Sequence, residues 1–139
     1  MRQSGDTEGL SPGHRVMDRF LGNWTATVTL VGESDPGAES LTVRGYETGR
    51  LGPGGRWMFQ DLFYKLLTNA YESHAVIGFD PATNRYTAVW VDSTEDRISL
   101  GEGIWDPQAQ SLTFERKSRG PNGEEVVEEV VDRFTSPQR

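Results

Sequence analysis

The sequence predicts an all-β protein: an eight-stranded antiparallel up-and-down barrel with a short N-terminal helix closing one end. Three observations carry this expectation. Eight short segments rich in β-branched and aromatic residues are bounded by Gly, Pro, Asn and Asp. Most of the breaks are short, so neighbours in sequence can be neighbours in space. A chain of 139 residues holds one core but not two full domains.

Taken in order, residues 1–10 are polar and read as a flexible tail, and 11–135 as a single domain. Ser11-Pro12 is a helix start, with serine as cap and proline in the first turn. Val16, Met17, Phe20 and Leu21 then make one apolar side, and Gly22 ends the helix. From Trp24 the period becomes two: Trp24, Ala26, Val28 and Leu30 alternate with threonines. Gly32–Gly37 is a turn-rich break. Further strands are expected near Leu41–Thr48, Arg56–Tyr64, Tyr71–Phe79, Tyr86–Asp92, Arg97–Trp105 and Ser111–Lys117. In Glu124–Phe134 the valines at 126, 127, 130 and 131 fit a helical spacing. Valine's β preference and the upstream Asn122-Gly123 hairpin signal favour a strand.

Composition excludes several classes. Fourteen Lys+Arg against 21 Asp+Glu leave a net charge of −7, which argues against nucleic acid and against anionic lipid as partners. No cysteine is present, so disulfides, thiolate metal sites and a cysteine nucleophile are ruled out. No apolar stretch approaches the roughly 18 residues of a membrane helix, and no signal-peptide core opens the chain, so a cytoplasmic location is expected. Neither a metal nor a cofactor is expected. The glycine-rich Gly49–Gly55 lacks Lys-Ser/Thr and is not a phosphate loop.

The Gly22-Asn23-Trp24 opening after a short helix resembles the lipocalin and calycin superfamily, in which the tryptophan plugs the closed end of the barrel. The start His14–Trp24, the strands at Gly45–Thr48 and Gly54–Trp57, the hairpin Ile77–Tyr86 with Trp90–Ser93, and Gly101–Asp106 together resemble a bacterial family, domain of unknown function fifteen-seventy-nine. The resemblance covers about Gly13 to Phe134 and implies a lipocalin-like barrel with, by analogy, a small-molecule cavity. Lys65–Asn69 departs from the family's Gly-rich loop; its apolar pair could form a lid over the mouth or tuck into the core.

Trp57, Phe59, Tyr86, Trp90 and Trp105 are a heavy aromatic load for a small barrel, and they are the expected ligand-binding walls, with His74 and Asp92. The competing reading is that they fill the interior outright. His74 alternates with Glu72 and Val76, so it faces either water or a polar cavity. If inward, it could act with Asp61 or Asp92 as a general base, and these three are the catalytic candidates. Arg44, Arg56 and Arg97 are candidate partners for the two aspartates. His14 reads as exposed or capping. The acids at 124, 125, 128, 129 and 132 read as a solvated strand face.

These readings favour a barrel that binds a small hydrophobic or aromatic molecule. The alternatives are a cofactor-free cyclase, isomerase or hydratase using an aromatic-walled cavity, and a filled barrel serving a structural or protein-interaction role. Whether there is catalysis is open, as is a homodimer.

Overall fold

The computed structural model describes residues 9–30 and 41–134. A short helix, α1 (Pro12–Val16), continues into a 3-10 turn at Met17–Phe20. Eight strands follow: β1 (Gly22–Leu30), β2 (Leu41–Leu51), β3 (Trp57–Leu66), β4 (Asn69–Asp80), β5 (Arg85–Asp92), β6 (Ser99–Asp106), β7 (Ser111–Arg119) and β8 (Glu125–Arg133). Each pairs antiparallel with the next, in sequence order across one sheet. Glu124–Phe134 is therefore resolved in favour of strand: its valines fall on both faces, and the helical spacing was a coincidence of that distribution. Residues 1–8 of the expected tail, the Gly32–Gly37 break and residue 135 lie outside the described residues.

The sheet curls into a half-barrel. Gln60 on β3 reaches across to Asp132 on β8 at 2.9 Å, and the rings of Trp24 and Phe134 meet at 5.2 Å. Among the described residues β1 and β8 share no ladder, so side chains rather than backbone hydrogen bonds draw the two edges together. The up-and-down barrel expected from the sequence is present in this curled form.

One end is closed by the N-terminal segment. Phe20 is buried with its ring 4.8 Å from Phe134 and 6.0 Å from Trp105, and the Trp24 indole N–H donates to the Phe20 carbonyl at 3.2 Å. Burial of such a ring contributes about 1.5–3 kcal/mol. The close seat depends on Gly49, where any side chain would strike the Phe20 carbonyl. The Tyr86 hydroxyl donates to the Gly13 carbonyl at 2.6 Å, tying α1 to β5. His14 is buried rather than exposed: its Nδ1 accepts from the Ser11 backbone N–H at 3.0 Å, and its ring meets Phe79 edge-on at 5.3 Å. It caps the helix from within the core.

The β3–β4 connection is a tight two-residue hairpin, since Leu66 pairs with Asn69. Leu67 at its tip is 97% exposed, so neither a long lid nor a core-filling loop exists there.

Candidate functional site

In a curled sheet the inner face alone can surround a guest, so strand alternation decides which residues are eligible. β4 and β5 set the pattern. Ser73, Ala75 and Ile77 are buried, as are Tyr86, Ala88 and Trp90, while His74, Val76, Val89 and Val91 are exposed. Because paired residues share a face, the ladder carries this assignment onto β3: Ile77 pairs with Met58 and Ala75 with Gln60, whereas His74 pairs with Asp61 and Val76 with Phe59.

Several expected site residues are relocated by that register. Trp57 is 42% exposed and lies over Gly78, where a side chain would collide with its ring. Phe59 stands on the same outer face beneath the Arg50 guanidinium, 5.4 Å from its ring centre. His74 and Asp61 also face outward, with His74 Nδ1 at 2.5 Å from Asp61 Oδ1 and Arg50 at 3.6 Å from Asp61 Oδ2. The expectation that Trp57 and Phe59 line the interior is therefore corrected, because their ladder partners place them outside although bulk favoured the interior; His74, which alternation alone leaves between water and a polar cavity, faces water. Asp61's cationic partner is Arg50 rather than Arg44, Arg56 or Arg97. Tyr86 and Trp105 do face inward, but they belong to the closed end, where Trp105 packs on Phe20 and under the Arg19 guanidinium. Burial pushes the Tyr86 hydroxyl up to about 12. Trp90 and Asp92 remain on the inner wall, Trp90 buried and Asp92 half-buried.

Above the closed end the inner face turns polar, at positions the residue pattern alone did not single out. Glu47 on β2 hydrogen-bonds Asp132 on β8, and the Gln60 amide donates to Asp132 Oδ2 at 2.9 Å. Burial, together with the Asp132 charge and the shared hydrogen bond, lifts Glu47 from 4.5 to about 10. Near neutral pH the pair thus keeps a proton. Farther along β8, Glu128 accepts from Arg116 Nη2 at 2.9 Å, and the Arg116 guanidinium lies 5.7 Å from the Trp90 ring centre. Burial opposes the charge on Arg116, but Glu128 and Tyr71 more than offset it, and its pKa is raised. Among the described residues, Arg116 Nε is buried without a hydrogen-bond partner. Tyr64 and Tyr71 stack at 4.7 Å on the same wall, and burial, with Asp92's charge second, raises the pKa of both.

The acidic last strand is accordingly not one solvated face. Glu125 and Glu129 point to water, while Glu128 and Asp132 are half-buried on the inner side, as period two requires. Outside, an open depression of about 450 Å³ crosses β6–β8 beside Glu102, Glu115 and Glu129. Its acidic lining lies on the convex side, where no wall surrounds a guest. The concave wall is the better candidate, since it joins aromatic surface to a few convergent polar groups.

No described helix is long and apolar enough to cross a membrane. Comparison with curated proteins and with solved structures returns no match. A family model described as a protein of unknown function, DUF1579, matches residues 10–137, nearly the whole chain. With its curled eight-stranded meander and tryptophan-plugged end, the chain belongs to the DUF1579 family.

Proposed function

We propose that this protein binds a small, mostly apolar molecule against the inner wall of the half-barrel. One observation carries the reading. The wall above the aromatic plug presents Trp90, Tyr64 and Tyr71 interleaved with Gln60, Asp92 and Arg116, a mixture that a solid apolar core has no use for. Burying such groups without a task is costly. A cytoplasmic location and a single-domain organisation belong to the same reading. Titration with a neutral, environment-sensitive dye such as Nile red tests it. Saturable binding, with one dye per folded chain, and a rise in Tm are expected. Binding that never saturates, or that persists equally in the urea-unfolded chain, would refute the proposal.

A second reading has a specific observation behind it. Glu47 keeps its proton beside Asp132, on the concave side, which is what a general acid requires. A cofactor-free cyclase, isomerase or hydratase would use that proton. This replaces the outward-facing His74 and Asp61 as the acid–base candidates.

A further inference from the structure

Resting on the ligand-binding reading, we propose that the guest's polar end is an uncharged hydroxyl, seated between Arg116 and Asp92, with a ring system lying on Trp90. Arg116 spends Nη2 on Glu128 at 2.9 Å, so its charge is already balanced. What it lacks is an acceptor for Nε, which is buried and has no partner among the described residues. A buried donor left unmade costs about 1–3 kcal/mol, so an oxygen arriving there recovers a real deficit. Because that atom is closed to bulk water, the acceptor has to come with a molecule occupying the interior, after a small turn of the guanidinium.

Asp92 supplies the complementary half. It faces inward at the end of β5, and its Oδ1 accepts from Thr94 N–H at 2.7 Å and Thr94 Oγ1 at 2.6 Å. Among the described residues its Oδ2 accepts nothing, and it stands free to take a donor. Arg116 and Asp92 flank the same stacked pair, Tyr64 and Tyr71. A group that must accept from a guanidinium N–H and donate to a carboxylate is a hydroxyl. A carboxylate head would bring a further anion beside Glu128 and Asp92. An ammonium head has no lone pair to offer Nε.

Four probes sharing one ring system test the assignment: naphthalene, 2-naphthol, 2-naphthoate and 2-naphthylmethylammonium, each measured by displacement of Nile red near neutral pH. The alcohol is expected to bind about tenfold tighter than each of the other three, the size of one well-made buried hydrogen bond. That preference should collapse to about unity in the double variant Arg116→Met/Glu128→Gln, which removes both charges together and leaves no unpaired ion. Arg116→Lys, which keeps the charge but has no Nε, should lose the preference too, and it serves if the double variant fails to fold by circular dichroism. Equal affinities, or a charged probe binding tightest, overturn the head-group assignment. A hydroxyl preference surviving in Arg116→Lys overturns the role of Nε. If Nile red binds saturably but no probe displaces it, the head-group inference fails and the binding reading stands. If Nile red itself does not bind, the binding reading falls first.

Discussion

Replacing Glu47 with glutamine should change how stability depends on pH. In the unfolded chain this carboxyl titrates at its ordinary value of 4.5, and in the folded protein it is raised to about 10. Folding therefore takes up a proton at every pH between those values. The contribution of Glu47 is fully favourable below the unfolded value and is lost as pH rises through the window. The limiting slope is about 1.36 kcal/mol per pH unit, or about 2.7 kcal/mol between about pH 5.5 and 7.5. Glu47 is only partly shielded from solvent, which reduces the expected loss to about 1–2 kcal/mol. Glutamine has the same length, carries no proton to titrate and keeps an N–H for Asp132. Glu47→Gln should thus lose less stability than the parent over that interval, and the two should converge toward about pH 4.5. Urea unfolding at several pH values reads this directly, with equal m-values showing that the denatured state is unchanged. Parallel pH profiles for parent and variant would refute the burial argument and remove the basis for a proton held on the concave side.

Two further outcomes follow from the placement of single groups. Tyr86→Phe removes the hydroxyl that donates to the Gly13 carbonyl at 2.6 Å. It should cost about 1–2 kcal/mol and raise amide exchange in Gly13–Phe20 more than elsewhere, since that bond holds the helix to the sheet. Undiminished protection there would show that aromatic packing alone seats the plug. His74→Ala should change stability by no more than about 0.5 kcal/mol, because the side chain is 61% exposed, and should leave the Nile red Kd unaltered. A lost or weakened Kd would move the site to the outer face.

The meander was legible because its signals are local. Turn residues at Asp80–Asn84, Asp106–Gln110 and Gly120–Gly123 and the alternation between them mark each strand within its own few residues. The plug was legible too, since Trp24, Phe20 and Met17 lie close in sequence. Which face of β3 turns inward was not. Its two sides read Trp57, Phe59, Asp61, Phe63 and Met58, Gln60, Leu62, Tyr64, and period two groups these sets without ranking them. The decision rests on pairing with Ala75 and Ile77, a tertiary fact. The acid pair is more remote still, because Glu47 and Asp132 lie at opposite ends of the meander, on β2 and β8, and Gln60, which also bonds Asp132, is 72 positions from it. A signal did exist: Glu47 is the one acid on a side otherwise made of Val43, Gly45, Gly49 and Leu51, and Asp132 sits between Val130 and Phe134. An isolated charge on an apolar strand face is a stronger pointer than an aromatic.

The polar groups inside the curl also set a scale for any guest. β8 runs toward the plug, so Phe134, Asp132, Val130 and Glu128 mark successive levels up the inner wall. At about 3.3 Å per residue, the Glu47–Asp132 station lies roughly 13 Å below the Arg116–Glu128 station. Between them the wall is Val130 on β8 and Phe114 on β7, whose ring meets Trp90 of β5 edge to face at 5.3 Å. An apolar interval bounded by two polar stations is costly for a packed core, since ion pairs buried there are commonly worth less than apolar side chains of the same volume. The same arrangement suits a molecule whose ring system occupies the interval and whose hydroxyl meets Arg116. A rigid guest much longer than about 13 Å would have to displace Glu47 from Asp132, and its binding would then shift the proton that the pair holds. Proton uptake or release on binding, measured by calorimetry in buffers of different ionisation enthalpy, should accordingly be absent for the short naphthol probe and should appear only with longer guests.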